Sequence, residues 1–147
     1  TSILEGVIQR GTAKKLRDLK LNIAGKTGTT NKNTDAWFIG FSSNLLVGVY
    51  VGLDNPTPLG RYETGSKTAL PIFKEFVQKT LKKSDARPFK AAEGTVMMVV
   101  DPVTGQKAKF TSKNTIIEVY KKKNIVNGKV LYVNRYRLDT NNILKFY

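Results

Sequence analysis

Three extended segments, at roughly 22–30, 36–42 and 45–53, follow one another with only short polar turns between them, and this spacing constrains the fold most. Parallel neighbours need a long crossover, so strands joined by a few residues pair antiparallel. The spacing therefore predicts an antiparallel meander. In the third segment Val47, Val49, Val51 and Leu53 share a face. Gly48 and Gly52 leave the opposite face thin, which suits close packing by a helix or a neighbouring backbone. Ser42-Ser43-Asn44, between two apolar runs, reads as the hairpin turn.

Helical patterns flank the meander. Residues 1–17 read as a helix with Ile3, Leu4, Val7 and Ile8 on one face. Ser2 followed by Glu5 is a capping-box pattern that fixes its start, and Gly11 ends its first regular stretch. After a loop at 54–67 rich in Pro and Gly, Thr68 to Lys83 reads as a second helix with Pro71 in its first turn. Ile72, Phe73, Phe76, Val77 and Leu81 form its buried stripe, which is core packing. Ser84-Asp85-Ala86-Arg87-Pro88 reads as a linker, dividing the chain into 1–84 and 85–147. Beyond it lies a β-rich tail: Thr95–Val100, Thr115–Tyr120, and a hairpin of Ile125-Val126 and Val130–Val133 around Asn127-Gly128. Val96 to Val100 reads as a buried strand, and Asp101-Pro102-Val103-Thr104-Gly105 as a turn. The expected class is α+β, an antiparallel sheet flanked by helices and followed by a small β-rich extension.

Composition removes several chemistries. The 147 residues include no cysteine and no histidine. Disulfides, thiol chemistry, histidine metal sites and Ser-His-Asp arrangements are therefore excluded, and serine chemistry here must use lysine as its base. No apolar run approaches the ~20 residues of a membrane span. The net charge of +14 admits nucleic acid, anionic membrane or acidic substrate as partners. Nucleic-acid modules interleave cations with stacking aromatics, whereas Lys14-Lys15, Lys82-Lys83 and Lys121-Lys122-Lys123 are the only lysine clusters. The charge reads as a solvated cationic surface, with no nucleic-acid partner, suited to anionic head groups and wall polymers.

Residues 24–30, Ala-Gly-Lys-Thr-Gly-Thr-Thr, carry the chemistry. If Gly25–Thr29 is a strand, Lys26 and Gly28 point to one face and Thr27 and Thr29 to the other. A cation, hydroxyl donors and an unobstructed backbone brought together suit a bound carboxylate or oxyanion. A lysine at a strand end beside a Thr/Gly turn accounts for the same residues. Gly25-Lys26-Thr27 is not a phosphate-binding loop, because the glycine required five positions earlier is Lys20. Asp54, Glu63 and Asp101 are carboxylates, but nothing in the sequence pairs them for acid–base work.

The order of Thr1–Glu5, Ala24–Thr30, Asp35–Phe41, Val47–Pro56, Glu63-Thr64-Gly65-Ser66 and Pro71-Ile72-Phe73 resembles the C-terminal part of the transpeptidase domain of class A (1A-type) penicillin-binding proteins. Lys-Thr-Gly is one of that superfamily's active-site motifs. The resemblance spans residues 1–83, thins over 88–109 and does not extend further. No serine has a lysine three residues on, so the family's Ser-x-x-Lys nucleophile is not in this chain. Ser42–Asn44 and Ser112–Asn114 match its Ser-x-Asn motif, but both follow Lys-Thr-Gly where the family's copy precedes it, and they are decoys.

The resemblance implies a wall of a serine acyl-transfer site without metal or cofactor. Lys26 raises the positive potential opposite the serine. Thr27 and Thr29 hydrogen-bond the terminal carboxylate of a stem peptide or β-lactam. Thr29's backbone N–H forms half of the oxyanion hole, and Gly28 keeps the strand bare. It implies a peptidoglycan synthase on the outer side of the bacterial inner membrane, with signal, anchor and a glycosyltransferase domain upstream of Thr1. It also implies that two further sheet strands belong beside 45–53, and that a helical subdomain covers the face carrying the motif. The expected consequence is a dimer through 45–53, a swapped arrangement, or association with the remainder of a parent chain. The alternative is a non-catalytic β-rich module that binds cell-wall polymer or a protein partner.

Overall fold

The computed structural model describes residues 1–84, 86–109, 111–126 and 129–130. They divide into two compact units, Thr1–Lys90 and Ala91–Tyr147. Helix α1 spans Ser2–Gln9, a 3₁₀ segment follows at Lys14–Leu19, then strands β1 (Ala24–Thr29), β2 (Asp35–Phe41) and β3 (Leu46–Gly52), and helix α2 (Ala69–Thr80). The strands form an antiparallel sheet in the order β1-β2-β3. With α1 and α2, this is the partial α+β arrangement that the sequence predicts.

Of the helix read over 1–17, α1 ends at Gln9, just before the Gly11 expected to close its first regular stretch, and the remainder is a turn and the 3₁₀ segment. Val7 O accepts from both Gly11 N (3.0 Å) and Ala13 N (3.2 Å), which turns the chain out of α1. A Cβ on Gly11 would meet Val7 Cα at 2.8 Å, so glycine permits the approach. The capping box does not form. Thr1 is the N-cap, without a side-chain bond, and its carbonyl accepts from Leu4 N and Glu5 N. Ile3 lies on the solvent side at 78% exposure, and Ile8 is the buried residue of that face.

Alternation in β2 sends Ala36, Phe38 and Gly40 inward, where Phe38 meets Phe73 of α2 with ring centroids 4.7 Å apart. Ile8, Leu16, Ile23, Phe38, Leu70, Phe73 and Val77 form the core, with Val47, Val49 and Val51 packed against it. Leu53 falls outside β3 and is exposed. Helix α2 buries Ala69, Leu70, Phe73 and Val77, and Leu81 packs partly buried against the core, so Phe73, Val77 and Leu81 hold the expected stripe while Ile72 and Phe76 face outward. Lys74 pairs with Asp18 at 3.0 Å, a part-exposed bridge worth about 0–1 kcal/mol. The thin face of β3 is not covered by a helix. Tyr50 folds over Gly52 instead and donates to Asp35 Oδ1 at 2.8 Å.

Ser42 makes the β2–β3 turn, its N–H reaching Leu45 O at 2.8 Å. Residues 86–90 pack within the first unit: Asn22 Nδ2 donates to Ala86 O (3.0 Å), and Phe89 sits edge-on to Phe41.

In the second unit β4 (Thr95–Val100) pairs antiparallel with β5 (Ile116–Lys121), and β6 (Ile125–Val126) with β7 (Lys129–Val130). The strand expected to be buried at 96–100 buries only Val100, and Met97 is largely exposed. Asp101 Oδ1 accepts from Val103 N and Thr104 N, both at 2.8 Å, closing the expected turn. Asn127-Gly128 and 131–133 lie outside the described residues.

Candidate active site

Strand β1 places Lys26, Thr27, Gly28 and Thr29 consecutively on the sheet's edge, where no strand pairs with its outer side among the described residues. Which backbone groups face that edge follows from the register. Thr30 N donates to Asp35 O, so the 30–35 pair is hydrogen-bonded and the 29–36 pair is not. Alternation then turns Lys26 and Gly28 toward β2, and the N–H and C=O groups of Gly25, Thr27 and Thr29 away from it. The β2–β3 register agrees, since Ser42 N bonds Leu45 O and thereby directs Ala36, Phe38 and Gly40 toward β3.

The side chains divide as the alternation predicts. Thr27 and Thr29 stand opposite Phe38 and Ala36, on the face that packs against the core. Lys26 and Gly28 stand opposite Ile39 and Trp37, on the other face, where Trp37 and Tyr50 have ring centroids 4.7 Å apart. Lys26 is exposed, and its Nζ donates to Thr27 O at 2.8 Å, folding the ammonium over the outward carbonyl.

Both hydroxyls are braced by residues that sequence patterns did not single out for the site. Thr27 Oγ1 lies 2.9 Å from Thr12 Oγ1. Thr29 Oγ1 accepts from Gly65 N at 3.0 Å, which leaves its own proton to donate elsewhere. Gly65 is buried against the sheet, and a Cβ there would overlap the carbonyls of Trp37 and Gly28. A glycine within the polar run 63–66 was the only available signal, and it cannot reveal which backbone it touches.

The edge therefore offers outward amides, a hydroxyl with a committed acceptor side and an exposed cation. Groups of these kinds can bind an anion and stabilise charge developing on a carbonyl oxygen. Hydrogen bonds from the Tyr50 hydroxyl and then the Thr34 hydroxyl hold the Asp35 carboxyl below the ordinary range, which makes it a weaker proton acceptor. Asp54, Glu63 and Asp101 do not gather with any other potential ligands into a metal-binding group among the described residues.

Residues 1–78 match the family model for the penicillin binding protein transpeptidase domain. Over 146 residues, 99% of the chain, it is 40% identical to penicillin-binding protein 1A of Rickettsia prowazekii. Over 126 residues, 86% of the chain, it is 44% identical to the Rickettsia bellii protein of the same name. The chain spans only 18% and 16% of the length of these two relatives. The crystal structure of penicillin-binding protein 1A from Haemophilus influenzae superposes with a TM-score of 0.61 at 28% identity, over 80% of this chain and 19% of that one.

Proposed function

The chain belongs to the penicillin-binding protein transpeptidase family, and from that premise we propose that residues 1–84 form the Lys-Thr-Gly wall of a serine transpeptidase, with 85–147 as a β-rich extension. The outward amide of Thr29 carries this reading. It supplies one oxyanion-hole donor, and the nucleophile's own N–H supplies the other. The Thr27 and Thr29 hydroxyls take the terminal carboxylate of a D-Ala-D-Ala stem peptide or a β-lactam. Gly28 lets the ligand backbone lie along the strand. Lys26 stabilises the alkoxide and carboxylate. The serine attacks the penultimate carbonyl, the terminal D-alanine departs, and a neighbouring amine takes the acyl group to cross-link peptidoglycan.

The nucleophile belongs to another segment of a longer bifunctional enzyme, which also carries the glycosyltransferase domain and the anchor on the outer side of the bacterial inner membrane. No described helix of this chain is long and apolar enough to cross a membrane. The half-exposed Trp37, Ile39 and Tyr50 on the Lys26 face support docking of that missing part.

The test is labelling with a fluorescent penicillin. This chain alone should give no covalent band, and a band surviving denaturation would overturn the reading. In a longer chain carrying Ser-x-x-Lys, Lys26→Ala should slow acylation on the order of 10²-fold, the scale of losing one charge-stabilising group. Unchanged acylation would return Lys26 to an ordinary strand-end lysine.

A further inference from the structure

A cleft of about 510 Å³ opens between the β2–β3 turn and the residues Ser84 and 87–90, lined by Ser43, Asn44, Ser84, Arg87, Phe89 and Lys90 among others. It lies toward the Phe41 end of the sheet, whereas Thr29 pairs with Ala36 at the other end. We propose that this cleft binds a phosphate group carried on a larger organic body.

Its walls are built from fixed backbone. Ser42 is buried, and its Oγ donates to Asn44 Oδ1 at 2.8 Å while accepting from Leu45 N at 3.2 Å. With Oδ1 committed, Asn44 presents the two protons of its amide nitrogen. On the other side the Asn22–Ala86 bond and the Phe41–Phe89 ring contact, at 5.5 Å, hold the chain that carries Arg87 and Lys90. Among the described residues no acid lines the cleft, and neither cation is ion-paired with a described residue. From 82 to 90 the sequence sets Lys82, Lys83, Arg87 and Lys90 against the single acid Asp85.

Guanidinium, ammonium and amide groups line one cleft, with no carboxylate among its described residues. A carboxylate has two coplanar oxygens to offer, whereas a phosphate presents several acceptors in three dimensions and matches a guanidinium fork. The cleft is much larger than a bare phosphate, and the Phe89 ring gives the remainder of an ester an apolar wall.

The 147-residue chain titrated with glycerol phosphate in about 0.15 M salt, which screens diffuse attraction, provides the test by amide chemical shifts. Saturable shifts at Ser43, Asn44, Phe89 and Lys90 are expected. Arg87→Gln, at an exposed position, should weaken binding about tenfold, as loss of a charged hydrogen-bond donor pair does. The double variant Lys14→Gln/Lys15→Gln removes more charge and should change it less than about twofold. Flotation with phosphatidylglycerol vesicles, against phosphatidylcholine, identifies the source. Arg87-dependent vesicle binding means a lipid head group, and ester binding without it means a soluble or polymer phosphate. Absence of saturable shifts, or equal weakening by the Lys14/Lys15 variant, would overturn the proposal.

Discussion

Replacing Thr29 by valine exchanges a hydroxyl for a methyl of nearly the same shape, so it removes one hydrogen bond without opening a cavity. The bond at stake runs from Gly65 N to Thr29 Oγ1 at 3.0 Å. Gly65 is buried, so its N–H would be left without an acceptor, at a cost of about 1–3 kcal/mol. Valine's better strand preference returns a few tenths of a kcal/mol. In the Thr1–Lys90 unit each kcal/mol is worth roughly 4–8 °C in melting temperature, so a fall of roughly 5–15 °C is expected. Thr29→Ser keeps the acceptor and should stay within about 0.5 kcal/mol of the parent. Urea unfolding followed by the single tryptophan, Trp37, measures the energies, and amide exchange at Gly65 reports the bond itself. Gly65→Ala should do more damage than Thr29→Val, because its Cβ collides with two strand carbonyls. If Thr29→Val matches the parent in urea and Gly65 exchange does not accelerate, the loop is held by something else.

Phe73→Ala removes a fully buried ring stacked edge-on against Phe38, and about 3–5 kcal/mol should be lost; a loss under 1.5 kcal/mol in urea unfolding would contradict the packing. The amides of Thr104 and then Val103 hold the Asp101 carboxyl below its ordinary value of about 3.9. The turn's stabilisation is therefore present above that ordinary value and lost as pH falls through the lower, folded one; carboxyl-carbon titration showing a value at or above the ordinary one would refute it. Among the described residues no strand pairs with the outer edge of β3, so light scattering should find dimers or heavier species that a proline at Gly48, whose N–H faces that edge, shifts toward monomer. A monomer with an ordered β3 and rapidly exchanging edge amides would count against that pairing.

Local signals carried far in this chain where one interaction decided the outcome. The turn at Ser42–Asn44 forms because a hydroxyl two residues away can satisfy its amides, and that is readable from residue types. The strands fall within a residue or two of the segments predicted, since their alternation matches a sheet with one covered face. Where two outcomes were locally comparable, tertiary contacts chose. Helix α1 is not such a case: it ends near Gly11, as residue type indicated, where Val7 O gathers two amides from the turn that carries Thr12 toward Thr27. In α2, Phe73, Val77 and Leu81 keep the expected stripe, but its other flank is filled by Ala69 and Leu70 and not by Ile72 and Phe76, and both choices suit a helical period. The chemistry-bearing run Lys26–Thr29 was legible as residue types. The direction of its amides was not, because that depends on which partner pairing is hydrogen-bonded. Gly65's contact with Thr29, across 36 positions, had no local signal at all.

The alternating backbone of β1 also makes its function a matter of odd and even. Extra residues placed in the 30–34 turn do not change the phase of β1 against β2, and their cost falls instead on the Asn33 bonds to Leu59, Gly60 and Arg61. A single residue gained or lost between Ala24 and Thr29 reverses everything at once. Lys26 would be driven into the packed layer, the threonines would emerge beside Trp37, and the outward amides would belong to the wrong positions. Length change in this hairpin is thus tolerated or ruinous depending on a few ångströms of placement. A library of one-residue insertions scanned from 24 to 34 should show that boundary as an abrupt step near Thr30.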